Sequence, residues 1–453
     1  MTTAGVDAPP RGADARARWS WMLFDWANQP YHTLVITFIF APFFAAAVAP
    51  DPVSGQAMWG WATTVGGLAI ALAAPFVGAI ADATGPRKPW LAGFSVCYVL
   101  GAWLLWFSEP GVADPTVVLL FFVIGLIGVE FGVVFVNAML PELAPREEVG
   151  RLSGSGWALG YAGGVVSLAL MLLLLAENDA GVTLLGNPPV FGLDPEAREG
   201  TRAVGPLSAI WYLVFALPLF LFVPDAPRRG PMAGAVKRGL AELGASLRAL
   251  RTRPGLSWFL GASMIYRDAL NGFYIFGGIY AAGVLGWSIV QVGVFGIVAA
   301  TVGAVGAWLG GRADSRFGPK PVVSVCLVAL ALAALLAVSL SREAVLFAVP
   351  VGPESSLPDI LFYLVGAVVG AAGGSLQAAS RTLLTRQAEA ERMTAAFGLY
   401  ALAGKATAFL APLLISVATV ATGSQQGGVA PVIGLFLLGL LLLVPVPAEG
   451  ERT

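Results

Sequence analysis

Long apolar runs separated by short polar segments restrict the fold of this chain more than any other feature of its sequence. A bilayer core about 30 Å thick requires roughly 20 helical residues at about 1.5 Å each. Such runs lie near residues 21–47, 58–81, 90–107, 116–140, 152–176 and 207–223, and again near 255–282, 289–310, 321–340, 360–383, 395–421 and 429–446. The sequence therefore predicts an all-α polytopic membrane protein with twelve transmembrane helices.

The composition agrees with this class and argues against several others. The 453 residues are 57% hydrophobic and 12% charged, whereas a soluble domain carries roughly 25% charged residues. The net charge is -1, which argues against a nucleic-acid partner, because phosphate binding needs a concentrated basic face. Cys97 and Cys326 fall within apolar runs, so neither a disulfide nor a metal site is expected. The sequence has no Walker loop, zinc-binding helix or nucleophile elbow, so we expect neither an enzyme nor a cofactor.

The distribution of basic residues predicts the orientation of the spans. With the amino terminus placed in the cytoplasm, 21 of the 26 Lys and Arg residues lie on the cytoplasmic side. The opposite side carries only Arg198, Arg202 and Arg342, while Arg267 and Lys405 lie within spans. Cytoplasmic loops are enriched in Lys and Arg. We therefore expect a multi-pass integral protein of a bacterial inner (plasma) membrane, embedded as a monomer in the lipid bilayer, with both termini in the cytoplasm.

A basic segment in the middle of the chain separates two halves of six spans each. Residues 225–254 carry seven Lys and Arg residues and are predicted to form a cytoplasmic linker. On this basis residues 1–20 are a cytoplasmic tail, 21–224 the first six-helix bundle, 255–447 the second bundle and 448–453 a second cytoplasmic tail. Residues 177–206 form the one long loop on the other side of the membrane, and the sequence assigns it no role.

Similar loops after the second and eighth spans indicate that the halves are related by duplication. The loops are aligned by Asp82 and Asp314, and their glycines permit close approach of neighbouring helices. An aspartate at this position can accept hydrogen bonds from a helix amino terminus. We therefore predict two gating loops that latch and release one face of the protein, formed by Gly78, Asp82, Gly85, Arg87 and Lys88 in the first half and by Gly310, Asp314, Gly318 and Lys320 in the second.

These loops resemble the loop motif of the major facilitator superfamily. Further segments resemble the vacuole-effluxer-like family within it, which includes a fungal autophagy-linked effluxer of amino acids. The segments are Phe24–Asn28, Pro141–Ala144, Ser153–Gly164, Gly373–Arg381 and Phe397–Tyr400 with Gly404 and Lys405. The resemblance implies the major facilitator fold, with twelve transmembrane helices in two pseudo-symmetric six-helix bundles. It also implies a secondary carrier, with export of amino acids as the best-known activity.

Polar and charged residues within the spans are the candidate site. Asp25, Asn28 and His32 share one face of the first span, and Arg267, Asn271 and Tyr274 share one face of the seventh. Glu130 and Lys405 lie at similar depths in other spans, and charged groups at such depths are costly unless they are paired or functional. The predicted substrate or proton pathway comprises Asp25, Asn28, His32, Glu130, Asn137, Tyr161, Arg267, Asp268, Asn271, Tyr274, Gln377, Arg381 and Lys405.

Two interpretations of these residues remain open. The acids and bases can form permanent interhelical ion pairs, or they can receive a small-molecule substrate and coupling protons. A zwitterionic amino acid needs both signs of charge in one cavity, which favours proton-coupled export of amino acids or a similar small polar solute. Glu130 is the preferred proton carrier, because it stands alone in an otherwise apolar stretch. His32 is either a packing residue or a proton relay, and Arg381 is either an interfacial base or a gate.

Two other functions are considered. The first is export of an amphipathic drug or lipid-like solute, which is favoured if the cavity is mostly aromatic around Trp26 and Tyr274. The second is a membrane-embedded receptor or enzyme, which is favoured if no central cavity lies between the halves.

Overall fold

The computed structural model describes residues 14–178, 180–231, 233–287, 289–352 and 354–450, and these residues fold almost entirely into helices. Helices of the first half are α1 (Ala15–Pro30), α2 (Phe40–Phe43), α3 (Pro52–Thr84), α4 (Lys88–Leu104), α5 (Pro115–Leu143), α6 (Val149–Leu170), α7 (Glu199–Arg202) and α8 (Val204–Phe222). The linker contains α9 (Ala235–Thr252). The predicted tail residues 1–13 and 451–453 lie outside the described residues, and α1 already begins at Ala15.

The second half repeats this arrangement. Its helices are α10 (Pro254–Leu285), α11 (Ile289–Phe317), α12 (Pro319–Val338), α13 (Leu357–Gln387), α14 (Met393–Ala406), α15 (Leu410–Thr422), α16 (Gln425–Val429) and α17 (Pro431–Leu443). One short hairpin pairs β1 (Ala344–Val345) antiparallel to β2 (Val349–Pro350).

The helices have the lengths and compositions that a bilayer requires. In the described part of the chain, eleven helical segments are long and apolar enough to cross a membrane. The predicted seventh span corresponds to α10, a helix of 32 residues whose hydropathy is lowered by Arg267 and Asp268 near its centre. The all-α polytopic class is confirmed. The predicted count of twelve spans requires α10 to cross the membrane in addition to the eleven segments above.

The first span is interrupted where Pro30 enters it. Proline lacks the N–H that would bond to the carbonyl four residues earlier, and the chain continues from Tyr31 to Phe38 as a wider π-helical segment. The carbonyl four residues before Pro30 belongs to Trp26, and it accepts a hydrogen bond from the Trp211 indole instead, at 3.0 Å. Helix α8 thereby satisfies the polar group that the proline leaves open.

The halves pack most closely through two pairs of helices, α3 with α14 and α6 with α11. Glycines permit this approach, since a Cβ atom on Gly78 would lie 2.7 Å from the Thr394 carbonyl oxygen. In the second pair, a Cβ atom on Gly154 would lie 2.6 Å from the Cα atom of Gly311. These contacts close the end of the molecule that carries the two predicted gating loops, which we call the motif end.

The described residues of the predicted linker and of the long loop pack against the rest of the fold. Helix α9 packs on α3, where a Cβ atom on Gly239 would meet the backbone of Ile80 at 2.8 Å. In the long loop, the buried Glu177 carboxylate accepts hydrogen bonds from the backbone and hydroxyl of Thr201 and pairs with Arg198 at 3.2 Å. The buried Glu177 carboxylate therefore holds the loop against the first half, at the end opposite the motif end.

Candidate functional site

A cavity of about 270 Å³ lies between the two halves. Its walls come from α1, α5 and α6 of the first half and from α10, α13 and α14 of the second. The volume is close to the lower end of the range of about 300–1,000 Å³ that small-molecule sites occupy. Predicted pathway residues that line this cavity are Asp25, Asn28, His32, Glu130, Asn137, Arg267, Gln377, Arg381 and Lys405.

Arg381 is the most highly connected cation of the cavity. Its guanidinium donates hydrogen bonds to Asp25 Oδ2 at 3.2 Å, to Asn137 Oδ1 at 2.9 Å, and to both the hydroxyl and carbonyl oxygens of Ser153 at 2.9 and 2.7 Å. The side chain is only 4% exposed and lies over the Trp21 ring at 5.0 Å. Because its partners sit on α1, α5 and α6, Arg381 of α13 ties three helices of the first half to the second.

Glu130 and Lys405 form a second ion pair between the halves. The Lys405 ammonium lies 3.1 Å from Glu130 Oε1, and the two side chains are 38% and 20% exposed. Lys405 is in the last turn of α14, where a cation is favoured by the helix dipole. Both pairs line the cavity and their acids are similarly exposed, but Lys405 is far more accessible to a solute than Arg381, which is 4% exposed.

Arg267 is the cavity cation without a carboxylate partner among the described residues. Its guanidinium donates to the Tyr400 carbonyl oxygen at 2.9 Å and lies over the Tyr400 ring at 4.1 Å. A Cβ atom on Gly404 would lie 2.5 Å from the guanidinium carbon of Arg267. The glycine at position 404 therefore leaves room for the guanidinium in this position. Backbone and ring contacts thus orient Arg267 without neutralising its charge.

Neutral polar groups complete the wall. Asn28 is buried, and its side-chain oxygen has no hydrogen-bond partner in the part of the chain that the structure describes. His32, Gln29 and Gln377 also face the cavity, and Glu130 lies within electrostatic range of His32 and Arg267. The wall therefore offers amide and imidazole groups beside two ion pairs and one unpaired cation.

Four predicted pathway residues do not line the cavity. Asp268 is fully buried on α10, where its Oδ2 atom accepts the Ala411 N–H at 2.7 Å. Asn271 is exposed outside the cavity wall. Tyr161 and Tyr274 lie outside the cavity lining, where Gly303 and Gly374 leave room for the Tyr161 ring and Gly373 leaves room for the Tyr274 hydroxyl. The charged residues of the seventh span are thus divided, with Arg267 facing the cavity and Asp268 facing α15.

The first gating loop makes the contact that the sequence predicts for its aspartate. Asp82 is buried and accepts the N–H groups of Thr394 and Ala395 at 3.3 and 2.8 Å, in the first turn of α14. Arg87 lies 3.9 Å from Asp82, donates to the Thr394 hydroxyl at 3.0 Å and pairs with Glu142 at 2.6 Å. A carboxylate of the first half therefore caps a helix of the second.

The second gating loop uses a different residue for the equivalent contact. Asp314 is buried against Gly150 at the start of α6, but the Arg151 N–H donates to the hydroxyl of Ser315 at 2.9 Å. Gly310 packs against Ser375 of its own half, and Gly311 makes the close approach to α6 instead. Gly85 and Gly318 both adopt positive φ angles, of 99° and 86°, which glycine permits.

The two loop lysines perform one structural role in both halves. Lys88 donates to the Phe220 carbonyl oxygen at 2.9 Å, at the end of α8. Lys320 donates to the carbonyl oxygens of Val444 and Val446 at 2.8 and 2.6 Å, beyond the end of α17. Each lysine therefore satisfies orphan carbonyls at the carboxyl end of the last span of its half.

Sequence reasoning missed several residues of the site. Ser153 anchors Arg381, and Trp157, Tyr400 and Phe397 line the cavity. Helical spacing is the signal that could have found them, since Ser153, Trp157 and Gly160 lie on one face of α6. Tyr400 likewise lies one turn from Phe397 on α14.

Comparison with known proteins shows which proteins this chain resembles. Over 439 residues the chain is 26% identical to the uncharacterized MFS-type transporter YxiO of Bacillus subtilis (strain 168), covering 95% of this chain and 94% of that protein. It is also 26% identical over 311 residues to autophagy-related protein 22 of Cryptococcus neoformans var. neoformans serotype D (strain JEC21), covering 66% of this chain and 50% of that protein. The chain therefore spans about half the length of this fungal relative.

Solved structures of transporters share the fold. The proton:xylose symporter XylE superimposes with a TM-score of 0.68 at 16% identity, covering 97% of this chain and 96% of that chain. FucP in its outward conformation superimposes with a TM-score of 0.68 at 15% identity, covering 97% and 98%. The fold is thus the major facilitator fold of two six-helix bundles. Because residues 52–453 match the family described as vacuole effluxer Atg22 like, the chain belongs to that family of major facilitator transporters.

Proposed function

We propose that this protein is a proton-coupled secondary transporter that exports amino acids or a similar small zwitterionic solute by alternating access. Secondary transport of small solutes follows from the family; the cargo, the coupling and the direction are the proposal. The observation that carries it is the unpaired Arg267 beside the exposed Glu130–Lys405 pair in one cavity between the halves.

The charges of the cavity wall favour a solute with a carboxylate. Three basic and two acidic side chains line the cavity, which leaves one positive charge in excess when His32 is neutral. Asp25 neutralises Arg381 and Glu130 neutralises Lys405, so the excess charge lies on Arg267. A guanidinium can bind a carboxylate through two parallel hydrogen bonds, and this makes Arg267 the proposed carboxylate receptor.

The remaining polar groups suit the ammonium end of the same solute. Glu130 offers a carboxylate on the cavity wall, and the amide side chains of Gln29 and Gln377 line the same wall. An amino acid placed between these groups would satisfy both of its charges inside one cavity. Trp157, Phe397 and Tyr400 would supply apolar walls for its side chain.

The alternative of an amphipathic cargo has less support. It depends on a cavity that is mostly aromatic around Trp26 and Tyr274, but neither residue lines the cavity. Trp26 stacks on Trp211 with ring centroids 5.3 Å apart and also packs against Phe215. The cavity wall combines five charged residues with three aromatic ones, which fits a polar solute better.

We also propose that the motif end faces the cytoplasm, as the distribution of Lys and Arg indicates. Inter-half contacts of Asp82 and Arg381 lie toward this end. The structure would then represent an outward-facing state, closed on the cytoplasmic side. Export requires the same cavity to load after these contacts have opened.

Transport in proteoliposomes tests the proposal. Purified protein reconstituted with a panel of labelled amino acids, organic acids and cationic drugs should show saturable counterflow only for solutes with a carboxylate. A pH gradient should accumulate the same solutes, and a protonophore should abolish the accumulation. Counterflow of the cationic drugs alone, or accumulation that ignores the pH gradient, would contradict the cargo or the coupling respectively.

A further inference from the structure

Helix α14 and helix α15 are two halves of one span, separated by a break at Thr407–Phe409. Pro412 accounts for the position of the break, because its ring clashes with a helical carbonyl four residues earlier and it has no N–H to donate. The Thr407 hydroxyl donates to the Met264 carbonyl oxygen of α10 at 3.2 Å. Helix α10 therefore supports the interrupted segment from the side.

Only one helix donor in the first turn of α15 needs a partner from elsewhere. The Leu410 N–H bonds to the Thr407 carbonyl oxygen at 2.8 Å, and Pro412 has no N–H. The Ala411 N–H between them donates to Asp268 Oδ2 at 2.7 Å. Asp268 of α10 thus acts as the amino-terminal cap of α15, where a negative charge also interacts favourably with the helix dipole.

Asp268 differs from Asp25 and Glu130, the other two acids of the predicted pathway, in lacking a cation partner among the described residues. Asp25 is paired with Arg381 and Glu130 with Lys405, and the neighbouring Arg267 is directed to Tyr400. Asp268 is fully buried, and its Oδ1 atom has no hydrogen-bond partner within the described ranges. A carboxylate buried without a counter-charge is costly, and uptake of a proton on the open oxygen removes that cost.

The helix that Asp268 caps is held by few contacts. Along α15 only Ala411 and Ile415 are buried, while Leu413, Val417 and Val420 are exposed. The outward side chains face lipid in a membrane span, so the attachment of α15 to the rest of the protein depends on few contacts, one of which is the Asp268 cap. A change of charge at the cap is therefore expected to change the order of α15 before it affects α14, which lines the cavity.

We propose that Asp268 is an exchangeable-proton site whose ionised form caps α15 and whose protonated form releases it. A proton from water adds to Oδ1, the carboxylate becomes a neutral acid, and the charged hydrogen bond to Ala411 is weakened. Arg267, which lines the cavity, directly precedes Asp268 on α10. This adjacency links the proton site to solute binding. The coupling role rests on the proposed transport function, whereas proton binding and release of α15 do not.

Infrared difference spectroscopy of the full-length protein in lipid nanodiscs tests the site without any cargo. All 27 acidic side chains contribute to the carboxylic-acid carbonyl band that grows as the pH falls. The contribution of Asp268 is therefore obtained by subtracting the spectra of Asp268→Asn, whose amide oxygen can still accept the Ala411 N–H, from those of the wild type. This difference should contain one titrating band, and the same band should be obtained in a Glu130→Gln background. Asp268→Glu should retain a titrating band at a shifted frequency, which also serves if Asp268→Asn does not fold. A band that is unchanged in both Asp268 variants would overturn the proposal.

Hydrogen–deuterium exchange tests the release of α15. After correction for the intrinsic pH dependence of exchange, amides of Leu410–Thr422 should exchange at least tenfold faster at low pH than at high pH in the wild type. The difference should vanish in Asp268→Asn, and α14 amides should not change in either protein. Equal pH responses of α15 in the wild type and Asp268→Asn would refute the release. Both measurements test Asp268 without any solute, so a negative result in the transport assays would not change their interpretation.

Discussion

At the scale of single residues, the site is organised by which of its charges are already satisfied. Arg381 has four hydrogen bonds to the first half and is almost fully buried. Arg267 has one hydrogen bond and a ring contact, both with Tyr400. The first residue therefore suits a contact between the halves, and the second suits a contact with a solute. We propose that Arg381 follows the first interpretation, as part of an interhelical ion pair, and that Arg267 follows the second, as a receptor for the solute.

Replacing Arg267 tests this division directly. Hydrogen bonds to charged groups contribute about 1.5–3 kcal/mol, and about 1.4 kcal/mol corresponds to a tenfold change in affinity. Arg267→Gln should therefore weaken binding of a carboxylate-bearing solute by about 10- to 100-fold, measured by counterflow or by calorimetry, and Arg267→Lys should lose less. The matched control is Arg312→Gln, because Arg312 stacks on Trp308 of its own helix outside the cavity. Equal affinities of Arg267→Gln and the wild type would remove Arg267 from the binding site.

Sequence patterns located all five charged residues of the cavity wall but not their partners. Spacing placed Asp25, Asn28 and His32 on one helix face, and the structure shows all three on the cavity wall. The same argument placed Asn271 and Tyr274 on the face of Arg267, yet neither lines the cavity, because spacing groups residues along a helix without showing which of them reach the cavity. The assignment of Asp25 to Arg381, rather than to another base, depends on helix packing that sequence spacing does not encode.

At the scale of helices, close approach through glycine sets how the halves meet. Alanine in place of glycine normally stabilises a helix by roughly 0.5–1 kcal/mol, but at position 78 its Cβ atom would lie 2.7 Å from the Thr394 carbonyl oxygen. The contact of α3 with α14 thus depends on one missing methyl group. Hydrogen bonds from Thr394 and Ala395 to Asp82 lie at the same contact.

Gly78→Ala should open the motif end. A cysteine introduced at the buried Ala74, in a protein whose Cys97 and Cys326 are replaced, should react severalfold faster with a water-soluble maleimide when Gly78→Ala is present. Gly93→Ala is the control, because no atom lies within 4 Å of a Cβ atom there. If labelling is equally slow with both alanine substitutions, the glycine contact does not hold this end closed.

The two loop lysines should stabilise both bundles. Lys88 donates to one carbonyl oxygen at the end of a last span and Lys320 to two, and a net hydrogen bond is worth about 1 kcal/mol. Lys88→Met should therefore lower the free energy of unfolding by about 1 kcal/mol and Lys320→Met by about 2 kcal/mol, each with a drop in melting temperature in detergent. Lys237→Met on the exposed surface of α9 is the control and should leave the melting temperature unchanged. A loss of stability in only one of the two lysine variants would show that the halves are not structurally equivalent at this position.

The fold could be predicted from the sequence more completely than the contacts of the two predicted gating loops. Apolar runs identified the spans, because helices in lipid must satisfy their own backbone groups. Asp82 contacts a helix amino terminus, as its loop pattern suggested. In the second half Ser315 takes the contact that Asp314 was expected to make. The same loop motif therefore places a cap at both interfaces without specifying which side chain provides it.

At the scale of the whole molecule, the two halves enclose one cavity and touch most closely at one end. The ion pairs Asp25–Arg381 and Glu130–Lys405 both join one half to the other. Opening the motif end must separate Arg381 from its three partner helices, while the cavity remains between the same walls. This arrangement predicts reciprocal motion of the two ends about the charged residues.

Distances between spin labels, measured by double electron–electron resonance, test this claim most directly. One pair at Glu147 and Arg316 would report on the motif end, and a second pair at Ala113 and Ala421 would report on the opposite end. Both would be measured in lipid with and without a transported amino acid. The account predicts a population in which the first distance increases while the second decreases, with solute shifting the balance between the two states. Distances that stay fixed at both ends, or that increase together, would contradict alternating access around this cavity.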